Sequence, residues 1–298
     1  MIREIVIISG KGGTGKTSIA AAFASLMENG VLCDADVDAA NLHLLLKPKV
    51  VESHAFMGGG IAEIRNEDCV ACGVCLDVCK FDAISEDYHV DPIACEGCGV
   101  CVDMCPQEAI DFPTQQCGEW FHSETRFGPM IHARLGIAEE NSGKLVSLVR
   151  QEGRQLAEAE GRNLLLTDGP PGVGCPVIAA VGGAAALVIV VEPTVSGLHD
   201  MQRVAQLGQH FGVPGLVAVN KFDLNVEMTE KIEAWAVEQS LGLVGRIPFD
   251  PSFVKAMVAA ENIIEFAPES DAAKTVREIW KKVLASKAMN NMGIADLR

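Results

Sequence analysis

The residues best suited to chemistry fall into two groups of different type. One is the loop Gly10-Lys11-Gly12-Gly13-Thr14-Gly15-Lys16-Thr17, followed by Ser18. A G-x4-G-K-T loop turns successive backbone N–H groups toward a polyphosphate at the start of a helix, whose dipole favours the negative charge. In such a loop Lys16 pairs with the β- and γ-phosphates and the Thr17 hydroxyl ligates Mg2+. The other group is a cysteine motif that occurs twice: Cys69, Cys72, Cys75 and Cys79, then Cys95, Cys98, Cys101 and Cys105, with Pro106 after the last. In C-x2-C-x2-C, three sulfurs face one cubane cluster, and the fourth cysteine, after x3, reaches the other cluster. That rule predicts one [4Fe–4S] cluster on Cys69, Cys72, Cys75 and Cys105, and a second on Cys95, Cys98, Cys101 and Cys79. Zinc is the rival, since C-x2-C pairs also build tetrahedral zinc sites, but these use two separated pairs rather than triplets that exchange a fourth ligand.

Residues 69–84 and 95–110 match at nine of sixteen positions with a shift of 26, the right length for a pseudo-symmetric two-cluster module and too short for a solenoid. One position departs from the repeat. Lys80 stands where the second copy has Pro106, which brings a positive charge toward the second cluster without removing a ligand. Residues 67–113 hold eleven Asp or Glu against that single Lys, a formal −10 within a chain of net −16. Such a surface repels nucleic acid and anionic membrane and suits a basic protein partner, although small electron carriers are also commonly acidic for solubility alone.

The elements that must position these groups follow from apolar runs. Ile2 to Ser9 reads as a buried strand feeding the glycine loop, and Thr17 to Met27 continues at helical spacing. Further short apolar runs lie at Val31 to Asp34, Asn163 to Asp168, Ala185 to Val191, Gly215 to Val219 and Leu243 to Ile247. Lys144 to Glu160 has helical spacing after Asn141-Ser142 as an N-cap. Alternating strands and helices, each strand nearly all apolar, predict an α/β fold with a mostly parallel, doubly wound sheet covered on both faces. After Val50 the pattern degrades, and Gly58-Gly59-Gly60 reads as a flexible entry to the cysteine region. The predicted division is a discontinuous ATPase domain, 1–60 and 114–298, around an inserted α+β two-cluster module, 61–113. No run of 18 or more apolar residues occurs, and the N-terminus enters a strand directly, so neither a membrane span nor a signal peptide is expected. Eight of eleven cysteines in cluster spacing suit a reducing compartment, which points to the cytoplasm.

Lys11 adds a family signal. Lys-Gly-Gly-x-Gly-Lys-Thr resembles the deviant phosphate loop of the Fe-protein, MinD and ParA class of ATPases. Asp34-Ala35-Asp36-Val37-Asp38 with Asn41 resembles their first switch, and Asp168-Gly169-Pro170-Pro171-Gly172 their second. Taken with the cysteine segment, the chain resembles MinD-superfamily P-loop ATPases that carry an inserted ferredoxin domain. The likeness extends through Trp120 to Thr125, Gly128-Pro129, His132-Ala133 and Glu140 to Leu145.

The resemblance implies ATP and Mg2+ as ligands, and a homodimer in which Lys11 reaches the partner's nucleotide. It implies that Asp36 orients the attacking water, with Asp34 the alternative under a second register, and that Asp168 stands near Mg2+. Asn220, Pro248 and Asp250 would contact adenine. A lesser implied reading makes Cys117 and Cys175 a bridging-cluster pair, while Cys33 reads as a core residue. The leading implied function couples nucleotide state to electron transfer, or to docking of a redox protein. The alternatives are a redox-sensing positioning ATPase and an iron–sulfur assembly carrier. Nucleic acid is not an expected partner. The apolar stripe Val276, Ile279, Trp280, Val283 and Leu284 is read as core packing rather than a membrane anchor.

Overall fold

The computed structural model describes residues 2–136 and 142–290. Glu140 and Asn141, the latter proposed as an N-cap, lie outside the described residues, as does the tail beyond Asn290. The first half of the chain runs β1 (Arg3–Ser9), α1 (Lys16–Leu26), β2 (Gly30–Asp34), α2 (Leu42–Leu46), β3 (Lys49–Gly60), β4 (Glu63–Ile64), α3 (Val74–Val78), α4 (Val100–Asp103), β5 (Ile110–Asp111), β6 (Thr114–Thr125) and β7 (Gly128–Leu135). It continues with α5 (Ser142–Ala159), β8 (Leu164–Pro171), α6 (Cys175–Val181), β9 (Ala186–Val191), α7 (Val195–His210), β10 (Gly215–Asn220) and α8 (Val226–Glu238). Last come β11 (Gly242–Ile247), α9 (Ser252–Ala259), α10 (Ile263–Phe266), α11 (Asp271–Ala285) and α12 (Lys287–Asn290).

The chain divides into two compact units. The larger comprises the N-terminal stretch to Ser53, Trp120–Arg134, and Ser142 onward; the smaller is His54–Glu119 with a short second piece from Leu135. In the larger unit β1 pairs in parallel with β8 and β9, β10 with β9 and β11, and β2 with β8 and β7. The full strand order is β11-β10-β9-β1-β8-β2-β7-β6-β3. Ile5, Val6, Ile7 and Ile8 are all fully buried, as a strand covered on both faces requires. Helix α1 is apolar nearly all round because α11 covers the side away from the sheet: the rings of Phe23 and Trp280 lie 4.9 Å apart, and Trp280 Nε1 donates to Leu26 O at 3.1 Å. Four residues of the α11 stripe are therefore spent on the core, with Val276, Ile279, Trp280 and Val283 at most 5% exposed, whereas Leu284, read with them as core, is 38% exposed.

A buried ion cluster fastens α5 beneath the sheet. Glu4 on β1, 2% exposed, accepts from Arg150 Nε at 2.7 Å, Arg150 Nη2 at 2.8 Å, Arg154 Nη2 at 2.5 Å and Thr167 Oγ1 at 2.8 Å. Removing Arg150 would leave the buried carboxylate with Arg154 and Thr167 as its remaining partners, at a cost of roughly 1.5–3 kcal/mol.

Three sequence expectations are corrected. The glycine triplet is no flexible entry; it closes a twelve-residue strand, β3. Strands β6 and β7 were not expected at all. Asp168 is not at a strand end, since β8 continues through Pro171 while Ser9 pairs with Pro171 across an irregularity in β1. No helix among the described residues is long and apolar enough to cross a membrane.

The smaller unit contains β4 and β5, an antiparallel pair, with the short helices α3 and α4. Its backbone repeats at the same shift as its sequence. Left-handed conformations occur at Ala71 and Gly97, Gly73 and Gly99, and Asp82 and Glu108, and buried alanines follow at Ala83 and Ala109.

Candidate functional site

The phosphate loop connects β1 to α1. Gly15 takes φ +90° at the helix N-cap, and a Cβ there would lie 2.4 Å from Asn220 Nδ2. Gly10 is just as constrained, since a Cβ would reach Asp200 Cβ at 2.2 Å. Beyond them Gly12 and Gly13 face open space, so the loop's outer side is clear for a ligand.

Under the loop Lys16 is 5% exposed, its Nζ 2.8 Å from Asp168 Oδ1 and 3.2 Å from Asp36 Oδ2. Burial works to lower the lysine pKa, but Asp168 and Asp36 outweigh it and hold the ammonium charged. Asp34 pairs in register with Asp168 and is fully buried. Its Oδ1 accepts from Asp36 N at 3.3 Å and its Oδ2 from Leu42 N at 3.2 Å, so it braces the loop that carries Asp36. Burial, then the charge of Asp168, pushes the Asp34 carboxyl well above its usual range. Asp36 is also raised, by burial first and against the pull of Lys16. Asp38 is exposed.

Two buried polar atoms here, Thr14 Oγ1 and Asp168 Oδ2, have no hydrogen-bond partner. Buried polar groups are nearly always paired. A lysine, a clear glycine cradle, a carboxylate cluster and two orphaned oxygens are the donor set that a Mg2+–polyphosphate group needs.

Lys11 Nζ reaches Ser196 Oγ at 3.2 Å and Thr194 Oγ1 at 3.5 Å, with Glu192 Oε2 at 3.8 Å. Glu192 also pairs with Lys221. Sequence reasoning missed Glu192, Thr194 and Ser196, although a polar cluster directly after the buried run of β9 falls where open α/β sheets bind ligands. Asn220 Nδ2 donates to Thr14 O at 2.7 Å, and thus buttresses the loop. Asp250 Oδ1 accepts from Ser252 N at 2.8 Å at the start of α9, with Pro248 two residues before it. Ser18 Oγ lies 3.5 Å from Met257 Sδ, and Thr17 stands in the first turn of α1. Cys33 is fully buried, as a core residue should be.

In the smaller unit the eight motif cysteines line two hollows. Cys79, Cys95, Cys98 and Cys101 border one, among Val78, Phe81, Ile84 and Phe112. Cys69, Cys72, Cys75 and Cys105 border the other, with Tyr88 and Ile110. Each hollow thus takes three cysteines from one motif and the fourth from the other. All are free thiols, and Ala109 N donates to Cys105 Sγ at 3.4 Å. Burial pushes the Cys101 thiol up, reinforced by Cys95 and Cys98. A single zinc ion with bonds near 2.3 Å needs sulfurs about 3.8 Å apart. Among the described residues, no three cysteine sulfurs lie within 4.8 Å of one another. As they stand, the sulfurs do not form the close group that one tetrahedral zinc ion takes.

A parallel sheet whose first strand opens through a glycine loop onto a lysine held between carboxylates defines a P-loop nucleoside triphosphatase fold. The model of the CobQ/CobB/MinD/ParA nucleotide-binding domain matches residues 5–263, and the chain belongs to that family. An uncharacterized protein of Methanocaldococcus jannaschii is 35% identical over 286 residues, 95% of this chain and 97% of its own length. An uncharacterized ATP-binding protein of the same organism is 25% identical, over 96% of this chain and 89% of its length. Among solved structures, the septum site-determining protein MinD of Pyrococcus horikoshii, complexed with Mg-ADP, superposes with a TM-score of 0.58 at 20% identity, covering 97% of this chain and 99% of that one. This last likeness shows the shared fold.

Proposed function

We propose that the chain binds and hydrolyses MgATP as an ATP-dependent homodimer, and that its nucleotide state governs electron transfer or partner docking by two [4Fe–4S] clusters. The observation that carries the reading is the pairing of two donor sets in one chain: the Lys16–Asp36–Asp168 cluster under an open glycine loop, and two hollows with exchanged fourth cysteines. Lys16 and the loop N–H groups hold the polyphosphate, Thr17 and Asp168 the Mg2+, and Asp36 orients the attacking water. Phosphoryl transfer depends mainly on such positioning and charge. Asn220 and the Pro248–Asp250 stretch border the base. Lys11 acts across the dimer once released from Ser196 and Thr194. The clusters supply one-electron chemistry; the protein's part is to hold them on thiolates with backbone donors such as Ala109 N. The cysteine unit, proposed as residues 61–113, presents an acidic surface to a redox protein.

A positioning ATPase that senses redox state is the second reading, favoured by the likeness to MinD. Anaerobic preparation with iron and sulfide analysis tests the main proposal. We expect about eight iron atoms per chain, and no ATP hydrolysis by Lys16→Ala. Zinc in place of iron, or hydrolysis undiminished in Lys16→Ala, would overturn it.

A further inference from the structure

A third orphaned polar atom lies apart from the nucleotide loop. His122 Nε2 is buried without a hydrogen-bond partner. His122 and Glu124 stand two residues apart on β6 and therefore share a face of the strand, opposite Ser123, which is fully buried against His132. On that face a ring nitrogen of His122 and a carboxylate oxygen from each of Glu124 and Glu160 lie within 4.8 Å of one another.

Glu160 follows the last residue of α5, and its N–H bonds to Leu156 O at 3.0 Å. One of the two carboxylates thus stands at the negative end of the helix, a place that favours a cation. One oxygen of Glu160 is fixed by Arg162 Nε at 2.7 Å, and Arg162 is itself anchored on Gly30 O at 3.2 Å. Outer hydrogen bonds of this kind orient a carboxylate ligand while leaving its second oxygen open.

We infer that His122, Glu124 and Glu160 form a divalent transition-metal site of the Mn2+, Fe2+ or Zn2+ class. One imidazole and two carboxylates offer nitrogen and oxygen donors to a dication, with Arg162 offsetting part of the Glu160 charge, and the nitrogen donor selects against Mg2+. Bonds of about 2.0–2.2 Å need donors roughly 3.4 Å apart, a distance the two exposed glutamates close by rotamer changes. Water completes the coordination. The ion pins β6 to the end of α5. This inference does not rest on the cysteine hollows.

Mn2+ is the probe, because it has little affinity for thiolates. MnCl2 is titrated into the nucleotide-free full-length protein, and the EPR signal of free Mn2+ is followed. The wild-type chain binds one Mn2+, and Asp36→Asn, which alters only the phosphate site, binds it equally. Glu160→Gln and Glu124→Gln, both at exposed positions that tolerate substitution, lose affinity by about tenfold or more. His122→Ala loses it as well, and Mg2+ in excess does not displace the ion. Equal Mn2+ binding by the wild type and both glutamine variants, or no Mn2+ retained at millimolar concentration, would overturn the assignment.

Discussion

Because Asp34 commits both carboxylate oxygens to N–H groups of its own loop, it is poorly placed to reach a substrate, whereas Asp36 has a carboxylate beside Lys16. Asp36→Asn should therefore retain ATP and lose turnover by roughly 100-fold or more, measured by phosphate release against nucleotide binding. Asp34→Asn should mainly loosen the loop and weaken binding. Normal hydrolysis in Asp36→Asn would reverse the assignment. His132 offers a second test at this scale. Burial, then the neighbouring His43, lowers its pKa from 6.5 to about 4. The unfolded chain thus takes up a proton that the native state refuses. The associated stability is complete above about 6.5 and is lost as pH falls toward about 4, on the order of 2–3 kcal/mol. Anaerobic urea unfolding between those values should show the loss, and His132→Gln should flatten it; the same slope in both proteins would refute the account.

The two-residue turn between β6 and β7 carries Arg126, whose Nη1 donates to Leu46 O at 2.8 Å and Nη2 to Leu45 O at 3.0 Å, the last carbonyls of α2. Its other edge meets Glu265 at 2.7 Å, and Glu265 forms a capping box with Asn262 at the start of α10. One arginine thus holds the helix that follows the Asp36 loop. Arg126→Ala should cost roughly 1–2 kcal/mol after solvent screening and speed amide exchange across residues 42–47; unchanged exchange there would show that α2 is held by something else. The sequence carried no sign of this contact. The core strands were legible because burial on both faces leaves no room for polar residues, and the glycine loop and cysteine motifs because their chemistry fixes their spacing. Strand β6, Thr-Gln-Gln-Cys-Gly-Glu-Trp-Phe-His-Ser-Glu-Thr, has only a partly apolar face, and its strand state comes from its neighbours in the sheet. Likewise nothing in the sequence shows that the Asn220 amide also holds the phosphate loop through Thr14 O.

At the scale of the whole molecule, the chain leaves the larger unit at Ser53 and returns to it at Trp120, so the cysteine unit interrupts the P-loop fold between the Asp34–Asp38 and Asp168–Gly172 segments. The acidic cysteine unit, with its repeated backbone and exchanged fourth cysteines, carries a second set of potential donors that the family assignment does not require. The proposed function couples the nucleotide site to the clusters, and coupling demands that nucleotide change the free energy of the cluster-bearing state. The direct measurement is an anaerobic redox titration of the full-length protein, followed by EPR, with ADP and with a non-hydrolysable ATP analogue. The account predicts a reduction potential or spectrum that differs between the two nucleotides, whereas identical potentials and spectra would contradict it.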